Sequence, residues 1–476
     1  MKNDQFANIA ASGICTDGKG LEQVHAPLVD APVLPFESGI APAVFTQKMI
    51  TKEELNREVE RQKSYYRVFM ENYAPEMPAF RRRENLTVFD WRIGTEADKK
   101  EFSRVINGDG EWEQVKIPHF GAPLGKKTTF YRTEFQIRLE ADEALFLHFD
   151  GVDYFANVYI NGKCIGSHEG FFAPFEFDIS ECVTKGQNIL VVEVENDFVQ
   201  KRNQEQLAGE MIGGDKIYAA TGPGYDDPEM GWHHCPPGMG IYQGVYLEVR
   251  ARCFIQDIYV RPVPEENRAE LWLEIFQCDP TYQDIIVEYS LYGRNFQQTV
   301  FDGREYRAYT SCEIGLGDAF TEAQLTAAGE LDKPVKLYME KGINYLKIPF
   351  EMTDVRIWSQ FTPWLYEMQV LLKSTEGRAL DGQTQQFGMR SFRMDTESVP
   401  KGTFYLNGEK IRLRGANTMG HEQQCVMRGD YEQLLTDLIL AKVCNMNFLR
   451  LTQRPVQKEV YEYCDRIGLM TQTDLP

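Results

Sequence analysis

Three polar side chains of different chemistry each come at or just after the end of a short apolar run near the C-terminus: Asn417, Arg450 and Asp474. When parallel strands alternate with helices, the carboxyl ends of the strands meet on one face and binding sites form there. The Arg450 guanidinium could hydrogen-bond a carboxylate and keep it ionised, or it could belong to a structural ion pair. The Asn417 amide could reach a ligand hydroxyl or hold a loop. We therefore expect these three residues to line one polar pocket.

A second set of candidates lies on predicted loops. Trp232, His233 and His234 fall in a Pro-rich segment, which is interpreted as a structural turn or as a loop that contributes to a binding pocket. A metal site is the weakest interpretation, because consecutive ligands rarely converge on one ion and no fourth ligand has suitable spacing. No metal is therefore predicted. His421 and Glu422 are predicted on the loop after the first strand, where exposure to solvent competes with a role in the pocket.

The elements that must position Asn417, Arg450 and Asp474 are three strands separated by two amphipathic helices. The strands are predicted at residues 411–416, 446–451 and 469–473. The first helix begins after Asp430, an N-cap with Gln433 as its capping-box partner, and the second has Pro455 near its first turn and Gly468 just beyond its end. Short connections in this order predict parallel strands with right-handed crossovers.

These strands predict the beginning of a (β/α)8 TIM barrel. A closed barrel needs eight such units and roughly 250 residues, whereas only about 70 are present here, so we expect an incomplete barrel with its first three strands. Most of the chemistry of such a barrel would then lie outside this sequence.

The sequence before the barrel predicts a multidomain protein that is mainly β and then α/β. Thr51 and Glu54 form a capping box, and the helix that they begin is expected to dock on the domain that follows. Asn161 and Gly162 predict a tight hairpin turn, since both positions favour positive φ. The predicted domains are an N-terminal arm and helix (1–85), an all-β domain (86–252), an immunoglobulin-like β-sandwich (253–394) and the barrel segment (395–476).

Composition excludes several classes of function. The net charge of −20 argues against nucleic acid and anionic membranes as partners, because phosphate binding needs clustered Lys and Arg. The one basic run, 81–83, is interpreted as a solvated surface or as the anchor of a linker. No apolar run approaches the length of a membrane-spanning helix, and the N-terminus lacks the apolar core of a secretion signal. Ten scattered cysteines favour a reduced, cytoplasmic protein over a secreted protein whose signal has been removed.

Many short motifs in a fixed order resemble glycoside hydrolase family 2. Two that carry the resemblance are Asp150-Gly151-Val152-Asp153 in the first β domain and Asn447-Phe448-Leu449-Arg450 in the barrel segment. Other matching stretches are 112–119, 130–135, 158–162, 168–179, 185–188, 194–196, 240–245, 358–366, 387–390, 404–408, 413–417 and 463–469. The resemblance spans roughly 86–476 and implies that the first β domain is a sugar-binding jelly roll.

The resemblance implies a retaining β-glycosidase that acts on galactosides, glucuronides or mannosides without a cofactor. Family members use two glutamates on later barrel strands, one as acid/base and one as nucleophile, so no catalytic residue is assigned here. Arg450 matches an arginine that lies beneath the nucleophile in the family, and Asp474 matches an acidic residue near the sugar. Gln453 stands where the galactosidases carry a histidine, so it is a candidate for a hydroxyl contact or a residue at a helix start. The loop with Trp232 loosely resembles a pocket loop of family β-mannosidases.

Two hypotheses of different classes follow. The first is the N-terminal part of a retaining β-glycosidase with a carbohydrate substrate, and homo-oligomerisation is left open. The second is a non-catalytic carbohydrate-binding or interaction protein derived from the same family. Polar side chains at the strand ends favour the first hypothesis, because a non-enzymatic module has no need of them there.

Overall fold

The residues whose structure can be described, in a computed structural model, are 51–119, 128–170, 173–195, 200–201, 211–212, 240–279, 285–308, 341–397, 401–418, 421–427, 429–452 and 455–474. They form two β-rich units followed by a parallel α/β unit, which confirms the predicted fold class. None of the helices in these ranges is long and apolar enough to cross a membrane.

The first unit is a jelly roll of two facing antiparallel sheets, joined by apolar side chains that alternate inward along each strand. The predicted turn at Asn161 and Gly162 is confirmed, with φ of 51° and 81°. The larger sheet has the order β3 (Glu113–Lys116), β2 (Val88–Ile93), β4 (Thr128–Gln136), β9 (Gln187–Glu195), β6 (Phe155–Ile160) and β7 (Lys163–Glu169). The smaller sheet has the order β1 (Arg82–Asn85), β12 (Val245–Ala251), β5 (Glu143–Phe149) and β8 (Phe175–Asp178). Two short helices, α2 (Glu96–Lys100) and α3 (Ser103–Asn107), and the ladder β10 (Gln200–Lys201) with β11 (Met211–Ile212) complete it.

The second unit is an immunoglobulin-like sandwich around its own apolar core. Trp358 is fully buried at its far end, and its indole Nε1 donates to the backbone carbonyl of Asp465 at 2.8 Å, so the sandwich is fixed to the α/β unit. One sheet has the order β13 (Cys253–Val263), β14 (Arg268–Gln277) and β17 (Gly342–Glu351). The other has the order β16 (Thr299–Ala308), β15 (Ile285–Gly293), β18 (Tyr366–Ser374) and β19 (Ala379–Phe387).

The α/β unit has a three-stranded parallel sheet, as the alternation of strands and helices predicts. A small antiparallel sheet precedes it, formed by β20 (Phe392–Asp395), β21 (Thr403–Leu406) and β22 (Glu409–Ile411). The parallel strands are β23 (Gly415–Thr418), β24 (Phe448–Leu451) and β25 (Met470–Thr473), and the helices are α4 (His421–Met427), α5 (Tyr431–Val443) and α6 (Lys458–Ile467).

The predicted first barrel strand, 411–416, was wrong in register. Asn407 and Gly408 have φ of 52° and 81° and make a tight turn, so Ile411 belongs to the hairpin before the barrel. The parallel strand begins four residues later, at Gly415. A Cβ on Gly415 would lie 2.0 Å from the carbonyl oxygen of Phe448, so this close approach of two strands requires glycine.

The N-terminal helix α1 (Lys52–Met70) begins with the predicted capping box of Thr51 and Glu54. The prediction that this helix docks on the following domain was wrong. Its buried residues Val59, Tyr66 and Phe69 belong to one apolar cluster with the outer faces of α5 and α6, far along the chain. An amphipathic pattern shows that a helix has an apolar face but does not specify which surface covers it.

Lys442 of α5 lies at the junction of α1, the sandwich and the barrel helices. Its ammonium donates to the carbonyl oxygens of Gln360 at 2.7 Å and Gly468 at 3.1 Å, and it lies 5.1 Å from the centre of the Tyr66 ring. Burial, aided by the charge of Arg414, lowers the pKa of Lys442 to about 7.

We expect this lysine to make stability rise with pH above neutrality. Between pH of about 7 and its ordinary pKa, the unfolded chain binds the Lys442 proton more strongly than the folded chain does. Protein stability should therefore increase through this window, and the increase should be absent in Lys442→Met. Scanning calorimetry from pH 7 to 10 measures it, with Lys458→Met as control because that side chain is 67% exposed. Parallel pH profiles for the wild type and Lys442→Met would contradict this prediction.

Candidate active site at the strand ends

The parallel sheet packs one of its faces against helices. Leu449 belongs to the apolar cluster that contains α1, α5 and α6, so its side chain lies on the helical face. Side chains alternate along a strand, which places Arg450 on the opposite face, where the interior of a barrel would be. Asn417 on β23 and Gln472 on β25 are in register with Arg450 on either side. The ends of the three strands therefore present one row of polar side chains to the barrel side.

Arg450 and Asp474 form a bidentate ion pair at this edge. Arg450 Nε donates to Asp474 Oδ1 at 3.0 Å, and Nη2 donates to Oδ2 at 2.6 Å. The amide of Asp474 also donates to the carbonyl of Leu451 at 3.1 Å, which holds the carboxylate at the end of β25. The Arg450 side chain is 39% exposed and the Asp474 side chain is 16% exposed, so solvent reaches part of the ion pair. Two parallel hydrogen bonds fix the plane of the guanidinium.

Nη1 is the nitrogen of the Arg450 guanidinium that has no hydrogen-bond partner among the described residues. Among the described residues, both hydrogen bonds of this side chain go from Nε and Nη2 to Asp474. A group such as a second carboxylate could therefore accept from Nη1 without breaking the pair. The bond to Asp474 agrees with the ion-pair interpretation of Arg450, and its role in a pocket stays a prediction.

Asn417 is exposed at the end of β23, beside Arg450. Its neighbour Thr418 is buried, and the Thr418 hydroxyl lies 3.5 Å from the carbonyl oxygen of Arg450. The structure thus brings Asn417, Arg450 and Asp474 to one edge, and we call them the strand-end group.

Trp232, His233, His234 and Gln453 lie outside the described residues. The prediction of a loop at His421 and Glu422 was wrong, because α4 begins at His421.

The helix α4 buries two polar side chains: Glu422, which the sequence predicted on a loop, and Gln423, which it did not single out. Glu422 is 1% exposed and Gln423 is 6% exposed, on a helix whose Cys425 belongs to the cluster of α5 and α6. A short helix with few apolar residues gives little periodicity, so its buried face could not be recognised.

Tyr461 supports the strand-end group from α6, and sequence reasoning missed this role. Its hydroxyl lies 2.8 Å from that of Thr473, the residue before Asp474, and it accepts a hydrogen bond from the amide of Val456 at 3.4 Å. The end of β25 and the loop after β24 are therefore fixed to one side chain. No His, Cys, Asp and Glu cluster that could hold a metal occurs among the described residues.

Three family models match this chain in the order of its domains. The galactose-binding domain-like model of glycosyl hydrolase 2 matches residues 122–229, the glycosyl hydrolases family 2 model matches 253–390, and the family 2 TIM barrel domain matches 398–474. Together they cover more than half of the chain. The chain belongs to glycosyl hydrolase family 2. The family predicted from the sequence motifs is thereby confirmed.

Individual relatives of this family 2 chain agree with that assignment. A β-galactosidase of Thermoanaerobacter pseudethanolicus is 26% identical over 385 residues, which are 77% of this chain and 43% of that protein. The crystal structure of Bacteroides uniformis β-glucuronidase matches with a TM-score of 0.57 and 18% identity, over 83% of this chain and 42% of that one. Bifidobacterium dentium β-glucuronidase, complexed with coumarin-3-O-glucuronide, matches with a TM-score of 0.57 and 18% identity, over 84% and 62%. At these identities the structures show the fold alone. The chain spans less than half the length of the curated relatives that it matches first.

Proposed function

We propose that this chain is the N-terminal part of a retaining β-glycosidase, which hydrolyses O-glycosidic bonds of β-galactoside-like or related sugars. The observation that carries the proposal is the strand-end group, which stands on the first strands of a family 2 barrel domain. Relatives named β-galactosidase and β-glucuronidase support a carbohydrate substrate and leave the sugar open between them.

Retaining hydrolysis needs two carboxyl groups about 5–5.5 Å apart, one protonated as the acid and one ionised as the nucleophile. Asp474 is engaged by Arg450, and neither Asn417 nor Gln472 can serve as a nucleophile or an acid. We therefore place both catalytic glutamates on later strands of the barrel. This chain alone would bind and position groups without completing the reaction.

The residues of this chain then have supporting roles. Arg450 would donate from Nη1 to the nucleophilic carboxylate and keep it ionised, while Asp474 fixes the direction of the guanidinium. Asn417, exposed beside it, would donate to or accept from a sugar hydroxyl. We further propose a reducing, cytoplasmic location, which the ten scattered cysteines of the sequence support.

The proposal is tested by completing the barrel. The coding sequence after Pro476 is read first, and the extended protein is assayed on nitrophenyl β-galactoside and β-glucuronide. Proton NMR of the first-formed product should show the β-anomer, because two displacements at one carbon retain the configuration. A first-formed α-anomer, or a stop codon directly after Pro476, would contradict the proposal. The stop codon would favour a non-catalytic carbohydrate-binding protein.

A further inference from the structure

The three-stranded sheet of the sandwich, formed by β13, β14 and β17, has an outer face that carries exposed aromatic and apolar side chains. Side chains alternate along a strand, and the inner set of this sheet belongs to the apolar core, so the other set points outward. In the outward set, Tyr259 is 56% exposed, Ile343 is 47% exposed, and Trp272 on the central strand is half-buried. We call this surface the outer sandwich face. Its centre row, which crosses the three strands, is Tyr259, Trp272 and Lys347.

A carboxylate beside the centre row holds the long side chains of the outer sandwich face in place. Glu270 points away from the core, yet its side chain is only 4% exposed. It accepts from Trp272 Nε1 at 3.0 Å and from Arg268 Nη1 at 3.1 Å. The Nζ of Lys347 lies 3.3 Å from Glu270, and Nη1 of Arg261 lies 3.4 Å from it. The side chains of this face are therefore ordered before a partner arrives, which lowers the entropic cost of association.

The residue types of the outer sandwich face are those that contribute most to the energy of protein–protein interfaces. Trp, Tyr and Arg are enriched at the centres of such interfaces, where a large side chain excludes water from its surroundings. Here Tyr259 lies opposite Trp272 on the next strand, and the Nζ of Lys347 lies 5.3 Å from the centre of the indole ring. The face thus has an aromatic centre with charged groups around it, as protein interfaces do.

The charges of the outer sandwich face are complementary to those of a second copy of the same face. Asp257 and Arg261 are both exposed and lie two residues before and two residues after Tyr259. A two-fold axis along the centre row would place Asp257 of one copy opposite Arg261 of the other, and the symmetry would form this ion pair twice. Two chains with a net charge of −20 repel each other, so association needs a face where opposite charges meet.

We propose that the outer sandwich face pairs with the same face of a second copy of this chain, which forms a two-fold dimer. Between Arg268 and Phe276 the face is about 27 Å long and about 14 Å wide, or roughly 400 Å² in projection. Two copies would bury about 800 Å² or more in total, which is below the range of about 1,200–2,000 Å² for stable complexes. The dimer is therefore weak and reversible. This inference does not depend on the proposed hydrolysis, because no residue of the strand-end group takes part.

Sedimentation velocity of purified residues 1–476, at concentrations from about 1 to 100 µM, tests the dimer. The average sedimentation coefficient should rise with concentration towards that of a dimer. Tyr259→Asp should raise the dissociation constant at least about tenfold, because it places two carboxylates at the centre of the interface. Phe361→Asp is the matched control and should dimerise like the wild type. Phe361 is an equally accessible aromatic residue, 60% exposed, but it lies beside α1 and not on this sheet.

A reversal of charge tests the two-fold geometry and does not require Tyr259→Asp to fold. Asp257→Arg and Arg261→Asp should each weaken the dimer, because each variant brings like charges together across the axis. The double variant Asp257→Arg/Arg261→Asp should restore most of the affinity, since the ion pairs form again with their signs exchanged.

A monomer at every concentration would overturn the proposal. So would association that is unchanged in Tyr259→Asp, because the contact would then lie elsewhere, or a double charge variant that is no stronger than the single variants. These measurements concern association alone, so the hydrolase proposal is left to its own assay.

Discussion

In the protein completed by the remaining barrel strands, Arg450→Ala should lower kcat by about 10²–10³-fold and change KM much less. The reason is the geometry at the end of β24, where Asp474 occupies Nε and Nη2, so that under the proposed function Nη1 would donate to the nucleophile. Loss of this donor would remove stabilisation that matters most when the carboxylate is ionised and reacting. Steady-state kinetics on nitrophenyl glycosides measure the separation of kcat from KM.

Two further variants separate this role from a purely structural ion pair. Arg450→Lys keeps the charge but cannot form two parallel hydrogen bonds, so it should recover only part of kcat. Asp474→Asn should lower kcat less than Arg450→Ala does, because the guanidinium remains. Unchanged kcat in Arg450→Ala, together with a lowered melting temperature, would show that the pair is structural.

The largest loss of stability is expected from Arg81→Met, about 3–5 kcal/mol in the free energy of unfolding. Arg81 donates to both carboxylate oxygens of Asp381 in the sandwich, at 3.1 and 2.7 Å, and to Glu248 of the jelly roll at 3.3 Å. Asp381 is 1% exposed, so the variant would leave a buried carboxylate whose only remaining donor among the described residues is the amide of Ile255. Denaturant unfolding, monitored by tryptophan fluorescence, measures the loss.

Arg82→Met is the matched control for Arg81→Met, because it changes the next arginine in the same run. Arg82 is 58% exposed and pairs with Glu143 at 3.0 Å, so its removal should cost less than about 1 kcal/mol. Equal losses for the two variants would contradict the assignment of Arg81 as the residue that joins the two domains through the buried Asp381.

Local features of the fold could be predicted because they depend on neighbouring residues. The side chain of Asp430 accepts from the amide of Gln433, as an N-cap does, and Gly468 ends α6 in the left-handed conformation with φ of 70°. The reciprocal half of that capping box did not form, since the backbone amide of Asp430 donates to the carbonyl of Cys425 at 2.8 Å and not to the side chain of Gln433.

Features that depend on distant contacts could not be predicted. The run 81–83 gave no sign that the Arg81 side chain would be only 18% exposed between two domains while that of Arg82 stayed 58% exposed. The same limit applies to the site: the ends of strands were identified from the pattern, but the bond between Arg450 and Asp474 depends on the pairing of β24 with β25.

The central claim is that this chain opens a catalytic barrel and supplies supporting groups without the two carboxylates of the reaction. The most direct measurement is the hydrolysis of nitrophenyl β-galactoside and β-glucuronide by purified residues 1–476. We predict a rate no higher than that of the buffer. Turnover that rises with protein concentration and follows the protein through purification would contradict the claim, because the acid and the nucleophile would then lie within these residues.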